Sequence, residues 1–231
     1  ALEVGLRPIV CVGEHEQPIA FVGGDPQTQE TLSPLFPYLA PVIMPQESAG
    51  DGQFAAMISI IALAGSLMGA IEAISLAHIA GFPEKNALNV LASTSGGSRA
   101  LIDYIPQVLS HDYTGLINIA SFLDMLDVAL DTAEELEVTI PMTETAYQLY
   151  ELLQAVGGEE MNLQALALLY EDEQTCADYG LDWALAEGFN ERCERFDDLF
   201  GGSGLLDDDT PGPSGRSHGD PPPIDGFFSK N

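Results

Sequence analysis

One apolar stretch, from Gly50 to Gly81, limits what this chain can fold into more than any other feature of its sequence. The eighteen residues from Phe54 to Ile71 carry no charge, and only Glu72 and His78 interrupt the apolar run that follows. As a helix, the stretch would be about 45 Å long at about 1.5 Å per residue, enough to cross a small domain. The sequence therefore predicts one long buried helix on which the other elements pack.

A membrane-spanning helix is the alternative interpretation of this stretch. Its uncharged length reaches the lower limit for a membrane span, and the spacing of Gly65 and Gly69 suits a pair of transmembrane helices. However, no Lys or Arg lies between Arg7 and Lys85, so no positive charge sets an orientation in a membrane. We therefore expect a core helix and no membrane partner, with the two glycines marking the close approach of another helix, for example from a second subunit.

The charge balance excludes two classes of partner. The 231 residues include 36 Asp plus Glu against 7 Lys plus Arg, a net charge of -29. Such a chain repels nucleic acid and anionic membranes. Either halophilic adaptation or an acidic docking surface would explain this composition, and molar salt would screen the self-repulsion. The halophilic interpretation is favoured because the acidic residues are spread along the whole chain.

Cysteine and histidine usage predicts neither a disulfide framework nor a metal site. Cys11, Cys176 and Cys193 are odd in number and lack metal-type spacing, and the four histidines are scattered. No signal-peptide pattern is seen, so we expect a cytoplasmic protein. The chain starts with Ala and reaches a strand-like run almost at once, which leaves open whether it is a fragment of a longer protein.

The elements before the long helix have a different character from those after it. Pro8–Gly13 and Pro18–Gly23 are short apolar runs bounded by Pro and Gly, typical of buried strands, and Val42–Met44 is a third such run. Because two strands alone do not make a stable sheet, either these strands pair with another chain or the rest of their sheet is missing. Residues 26–49 are expected to form a connecting helix, over about 26–37, and a loop.

Helical spacing of apolar residues dominates the rest of the chain. Short loops join five or six predicted helices, which indicates an all-helical bundle over residues 50–172 and a mainly α fold. These helices are predicted at Glu84–Ala92, Ser98–Ser110 with an interruption at Pro106, Ile117–Glu137, Met142–Val156 and Leu163–Tyr170. Residues 173–200 are predicted to be an acidic helical extension with a helix around Trp183–Phe196. Residues 201–231, rich in Gly, Pro and Asp, are predicted to be a disordered tail.

A series of motifs in a fixed order resembles a known family. They are VGGDPQTQETLSPLF (Val22–Phe36), GDGQ (Gly50–Gln53), the long helix containing Glu72, SGG (Ser95–Gly97), Tyr104 and AYQLYE (Ala146–Glu151). Over about Pro18 to Glu171 the chain resembles the C-terminal half of 3-hydroxyisobutyrate dehydrogenase and 6-phosphogluconate dehydrogenase-like enzymes. These β-hydroxyacid dehydrogenases transfer hydride between NAD(P) and a 3-hydroxyacid.

The resemblance implies a Rossmann domain ahead of a helical domain that forms a homodimer through the long helix. Residues 1–25 would then be the last strands of a Rossmann-type sheet whose other part is missing. No GxGxxG follows a strand in this sequence, and that loop is what places a pyrophosphate on a helix N-terminus. NAD(P) is therefore implied by the family, but no cofactor is expected for this chain alone.

The catalytic positions of the resembled family are changed here. Its GxGxxxKxxxN motif opens the long helix, with Lys as general acid/base and Asn orienting the substrate. The corresponding residues are Ala56 and Ile60, and no residue from 54 to 60 ionises. A second family Lys, in a KDL motif, corresponds to Asp124. The sequence thus predicts no intact catalytic residue.

Several candidates for substrate binding remain. They are Gly50, Gly52, Gln53, Ser59, Ser95 and Gly96, of which the Gly and Ser residues are also explained as helix-cap and turn residues.

Imine reductases resemble the same architecture and often lack the family Lys, and Tyr104, Asp124 or His78 would be the proton donors in that case. Three functions are therefore open: a substrate and dimerisation domain without catalytic competence, a non-enzymatic dimerisation or acidic docking module, and an imine-reductase-like fragment.

Overall fold

The computed structural model describes residues 2–12 and 15–188, which belong to one compact unit, Ala1–Asn190. Its strands are β1 (Leu2–Val12), β2 (His15–Gly24) and β3 (Val42–Gln46). Its α-helices are α1 (Pro26–Leu32), α2 (Asp51–Ile79), α3 (Glu84–Ser93), α4 (Arg99–Leu109), α5 (Ile119–Glu135), α6 (Pro141–Leu153) and α7 (Glu173–Asp178). Shorter helical segments are the 3₁₀ helices Ser33–Tyr38, Leu163–Tyr170 and Trp183–Gly188 and the π-helical turn Gln154–Gly158. The mainly α fold with a small sheet agrees with the prediction.

The three strands form one sheet in the order β1-β2-β3. Strand β2 pairs antiparallel with β1 and parallel with β3, and α1 with the 3₁₀ helix after it makes the crossover that a parallel pair requires. Both faces of β2 are covered, since Ile19 and Phe21 pack on the α2 side and Ala20 and Val22 pack against Phe36. The predicted strands are confirmed, although β1 and β2 begin earlier than Pro8 and Pro18.

Helix α2 is the element on which the sheet and the bundle both pack. Its ten buried residues recur at helical spacing on one side: Gly52, Ala56, Met57, Ile60, Ala64, Leu67, Met68, Ala70, Ile71 and Ile74. Helices α4, α5 and α6 and the 3₁₀ helix Leu163–Tyr170 cover that side. The predicted helix is confirmed, but its expected burial on all sides is corrected: Leu76 is 69% exposed and Phe54 50% exposed, because the bundle covers one face only.

One helical prediction was wrong in detail, and another left the type of helix open. Helix α4 runs through Pro106 without the predicted interruption. The proline has no N–H to donate to the carbonyl of Ile102, and Ile102 is an exposed residue. The helix predicted over Leu163–Tyr170 is confirmed with the same bounds, and its type is 3₁₀. Over eight residues that are almost all apolar, the sequence does not separate a period of 3.0 from one of 3.6.

The acidic extension is helical where it is described. Asp172 caps the N-terminus of helix α7, and its carboxylate accepts hydrogen bonds from the backbone N–H and the hydroxyl of Thr175, both at 3.0 Å. These bonds lower the pKa of Asp172, the backbone bond most. A 3₁₀ helix, Trp183–Gly188, replaces the start of the helix predicted around Trp183–Phe196. Residues 189–200 and the predicted tail 201–231 lie outside the described residues.

A buried asparagine joins the α4–α5 loop to the C-terminal part of the bundle. Asn162 is 1% exposed, its Oδ1 accepts a hydrogen bond from Leu163 N at 2.7 Å, and its Nδ2 donates to Thr114 O at 3.3 Å. The backbone N–H of Asn162 also donates to Tyr113 O at 2.9 Å. Gly115 packs directly on this side chain, since a Cβ there would lie 1.5 Å from Asn162 Nδ2.

Replacing Gly115 by Ala should therefore destabilise the fold strongly. The new methyl group would displace the Asn162 side chain and break the hydrogen bonds to Leu163 and Thr114, so we expect a loss of more than about 2 kcal/mol in the free energy of unfolding. Urea denaturation followed by circular dichroism measures this. Gly96→Ala is the matched control, because a Cβ there meets nothing closer than 3.7 Å. Equal stability of the two variants would contradict the close packing of Gly115 on the Asn162 side chain.

Candidate functional site

The first turns of α2 lie against the end of β2, and glycines make this contact possible. A Cβ on Gly52 would lie 2.7 Å from Phe21 O and 2.8 Å from Gly23 N, and one on Gly23 would lie 2.5 Å from Ser48 O. Gly50 has a φ of 95°, a conformation that favours glycine. Gly50 and Gly52 of the GDGQ motif therefore each have a structural reason to be glycine, Gly50 for its φ and Gly52 for its close contact with β2.

Ala56 and Ile60 occupy the positions at which the resemblance implies Lys and Asn. Ala56 is fully buried in an apolar cluster with Ile19 and Phe21 of β2. Ile60 is 1% exposed and belongs to the main core of the bundle. Neither side chain carries a group that can exchange a proton or form a hydrogen bond, so neither residue can itself act as a general acid or base.

The remaining candidates on α2 point away from this apolar contact. Gln53 and Ser59 are exposed. The Ser59 hydroxyl donates to Ala56 O at 2.7 Å, the ordinary bond of a serine within a helix. Ser95 and Gly96 lie in an exposed turn between α3 and α4. The structure thus groups Gly50, Gly52, Gln53 and Ser59 on the first turns of α2 and places Ser95 and Gly96 on a separate turn.

The three candidate proton donors belong to different parts of the fold. Asp124 is exposed on α5, and Tyr104 is 2% exposed within the main core on α4. His78 lies near the C-terminal end of α2, where its Nδ1 shares a 2.6 Å hydrogen bond with Glu84 Oε1. Because 22 residues of helix separate it from Ala56, about 33 Å at about 1.5 Å per residue, His78 does not share a site with Ala56 within one chain.

A pairing that sequence reasoning missed ties the single acidic residue in the middle of α2 to the bundle. Tyr170 lies beside Glu72, close enough for the carboxylate to affect its hydroxyl. Burial, and then the neighbouring Glu72 charge, raise the pKa of Tyr170. The two residues are far apart in sequence, and no local pattern connects them, so only the fold reveals the contact.

The described part of the chain contains no candidate metal site, but it contains one helix with the length and composition of a membrane span. Within residues 2–12 and 15–188, no group of three His, Cys, Asp or Glu is arranged to hold a metal ion. Among the same residues, α2 is the one helix long and apolar enough to cross a membrane, with 44% of its most apolar window buried inside the protein. Core helices of soluble proteins meet the same criterion, so the finding is weak evidence for a membrane span.

Comparison with known proteins defines the class. Residues 50–170, just over half of the chain, match the family model described as NAD-binding of NADP-dependent 3-hydroxyisobutyrate dehydrogenase. The chain therefore belongs to the 3-hydroxyisobutyrate dehydrogenase-like family of oxidoreductases.

Individual relatives agree with this family. The probable mitochondrial 3-hydroxyisobutyrate dehydrogenase-like 1 of Arabidopsis thaliana is 30% identical over 151 residues, which are 65% of this chain and 45% of that protein. The NAD-dependent L-serine dehydrogenase of Pseudomonas aeruginosa is 29% identical over 160 residues, covering 66% of this chain and 54% of that protein. The chain thus spans about half the length of the curated relatives it matches.

Solved structures show the same fold. The 3-hydroxyisobutyrate dehydrogenase of Salmonella typhimurium has a TM-score of 0.61 at 20% identity, covering 73% of this chain and 59% of that one. The Mycobacterium tuberculosis enzyme, determined with L-serine, has a TM-score of 0.62 at 22% identity, covering 67% of this chain and 55% of that one.

A lysine restored at position 56 should destabilise the protein instead of producing an active site. In Ala56→Lys, the ammonium group would have to leave the apolar cluster of Ile19 and Phe21 or stay there unpaired, and we expect a loss of about 2–4 kcal/mol in the free energy of unfolding. Gln53→Lys, one turn earlier and exposed, is the control and should change stability by less than about 0.5 kcal/mol. Chemical denaturation measures both, and an Ala56→Lys variant as stable as the control would contradict the observed packing.

Proposed function

We propose that this chain is a C-terminal assembly domain of the 3-hydroxyisobutyrate dehydrogenase-like family that forms homodimers through α2 and does not catalyse hydride transfer by itself. The observation that carries the proposal is the apolar burial of Ala56 and Ile60. A general acid/base in a dehydrogenase has to ionise within reach of the substrate hydroxyl, and these positions supply neither charge nor polar atoms. The helix keeps its packing role without the chemical one.

The residues present do not fit an NAD(P) cofactor. Between residues 15 and 188 the sequence contains two basic residues, Lys85 and Arg99. Arg99 donates from Nε to Asp103 at 2.6 Å, so it already has a carboxylate partner. Asp51 lies between the two glycines at the start of α2, and its negative charge disfavours a pyrophosphate there.

The proposed domain roles follow the division of the fold at α2. Residues 50–172 form the helical domain, and residues 1–25 correspond to the last strands of a Rossmann-type sheet. The support for this is that β2 and β3 pair in parallel, as strands of an α/β sheet do, while β1 and β3 form the two edges of a sheet of only three strands. A Rossmann domain that completed this sheet would supply the dinucleotide site.

Cofactor binding and turnover test the proposal directly. Calorimetric titration with NADPH should show no saturable binding, and NAD(P)-dependent oxidation of 3-hydroxyisobutyrate or L-serine should stay at the background rate. A full-length 3-hydroxyisobutyrate dehydrogenase, titrated and assayed in the same buffers, is the positive control. Saturable NADPH binding would overturn the proposal, and NADPH-dependent reduction of a cyclic imine would favour the imine-reductase-like alternative.

The acidic surface favours halophilic adaptation, and an acidic docking surface is the second candidate. The net charge of -29 makes the folded state repel itself at low salt. If the surface is an adaptation, the melting temperature should rise as KCl increases from 0.1 to about 2 M, because the Debye length falls from about 10 Å to below 3 Å. A melting temperature that does not rise would contradict adaptation and favour docking, in which salt weakens only the binding of a basic partner.

A further inference from the structure

The segment from Thr31 to Gln46 carries no charged side chain. Because charged residues make up 19% of the chain, a stretch of this length would carry about three at the average density. Much of the segment is nevertheless on the surface, since Leu35 is 57% exposed, Tyr38 87% and Leu39 44%. Six exposed apolar residues between α1 and β3 form what we call the uncharged patch: Pro34, Leu35, Pro37, Tyr38, Leu39 and Pro41.

The uncharged patch lies on the side of the sheet away from α2. It belongs to the 3₁₀ helix Ser33–Tyr38 and the turn after it, and Phe36 of this helix packs on Ala20 and Val22 of β2. The opposite face of β2 packs against Ala56 of α2. A contact made at the patch therefore leaves α2 free.

The backbone of the uncharged patch is held in one conformation by the chain itself. Each of its three prolines restricts φ to about −65°. The N–H groups of Leu39 and Ala40 donate to Phe36 O at 2.9 and 3.2 Å, and the Phe36 side chain is buried. A surface that is fixed in advance loses little conformational entropy when a partner binds.

Two common modes of peptide recognition do not suit this segment. Pro34 and Pro37 have the spacing of a polyproline II ligand, but they lie in a 3₁₀ helix, which has a different backbone shape. Addition of a strand to the edge of β3 is disfavoured because Pro45 has no N–H to donate and β3 is five residues long. The patch is therefore suited to contacts between side chains.

The size of the uncharged patch suits a weak protein contact. Leu35, Tyr38 and Leu39 expose roughly 300–450 Å² together, if a large apolar side chain has about 150–250 Å² of surface. Contiguous apolar patches of this size on a soluble protein mark interaction sites. Two such patches together bury less than about 1,200 Å², the lower limit of standard interfaces, so their association is reversible. Tyr38 is the expected anchor, because tyrosine is enriched among the residues that dominate binding energy.

Charge selects a second copy of this chain as the occupant of the patch. With 36 acidic and 7 basic residues, most surfaces of two copies would bring carboxylates together, and like charges repel. The uncharged patch avoids this repulsion and is compatible with itself, as a two-fold interface requires. Independently of the homodimer through α2, we infer that two copies associate reversibly, patch to patch, with Tyr38 of each as the anchor.

Salt dependence distinguishes this contact from an ionic one. The net charge of -29 opposes the approach of two copies even where the contact itself is uncharged. Raising KCl from 0.1 to about 2 M shortens the Debye length from about 10 Å to below about 3 Å and removes most of that repulsion. The dissociation constant measured by sedimentation velocity should therefore fall at least about tenfold, whereas the binding of a basic partner through ion pairs would weaken.

Substitution of the anchor tests the role of the patch. In about 2 M KCl, Tyr38→Ser should raise the dissociation constant at least about tenfold. Its circular dichroism spectrum should match that of the wild type, because the Tyr38 side chain is exposed. Val138→Ser is the matched control, since Val138 is 55% exposed in the turn between α5 and α6, and it should leave the dissociation constant unchanged.

Cysteine cross-linking tests the two-fold arrangement. The parent protein carries Cys11→Ser and Cys193→Ser and keeps Cys176, which is buried. Adding Leu35→Cys should give a disulfide-linked dimer on mild oxidation, because the same residue of both copies lies in a patch-to-patch contact. Adding Val138→Cys instead should give none.

Each other outcome overturns the inference. A wild-type protein without a concentration-dependent step in high salt, or a Tyr38→Ser variant that associates as the wild type does, would exclude the patch as an interface. Association that weakens as KCl rises would show an ionic contact instead. Equal cross-linking of Leu35→Cys and Val138→Cys would exclude the two-fold pairing. The smaller species, monomer or dimer, tests the α2 homodimer separately, because Tyr38→Ser leaves that species unchanged.

Discussion

The contact between the inner face of α2 and strand β2 is the interaction on which the rest of this structure depends. It is possible only because small residues line it: Gly23 and Gly52 bring the backbones together, and Ala56 leaves room for Ile19 and Phe21. The same face continues into the bundle core through Ile60, Ala64 and Leu67. One helix thus joins the sheet to the helical domain by continuous apolar packing, which is non-directional and grows with the area removed from water.

Charge contributes to this fold through caps more than through ion pairs. Asp25, Asp112 and Asp172 each accept hydrogen bonds from a nearby threonine, and those bonds lower the pKa of each carboxyl. A carboxyl with a lowered folded-state pKa stabilises the fold above its unfolded pKa, and this contribution is lost as the pH falls through the folded value. With so few basic residues available, local hydrogen bonds are the means by which the acidic side chains stabilise the chain at neutral pH.

The sequence was sufficient to place most elements but not their partners. Apolar periodicity located α3 to α6, because burial of one face imposes a period that a single sequence displays, whereas uncharged length located α2 and short apolar runs located the strands. The sequence could not show that the bundle covers α2 on one side only. In a helix with apolar residues on every side, the pattern does not indicate which side is buried. The sequence also could not reveal that Gly115 packs on Asn162 or that Tyr170 lies beside Glu72, because these residues are distant from each other in sequence. The 3₁₀ form of Leu163–Tyr170 depends on tertiary packing that a short apolar run does not encode.

In the candidate site, the apolar packing around Ala56 leaves no room for a catalytic side chain at that position. The resemblance to dehydrogenases predicted Ala56 and Ile60 as replacements of polar residues, and the fold adds that both lie in apolar contacts that other side chains complete. Ile19 and Phe21 occupy the space beside Ala56, so a lysine there would need several neighbours to change together. A lysine at position 56 would therefore disturb the contact that joins the sheet and the bundle. In a chain where that contact organises the fold, packing constrains position 56 to a small apolar residue.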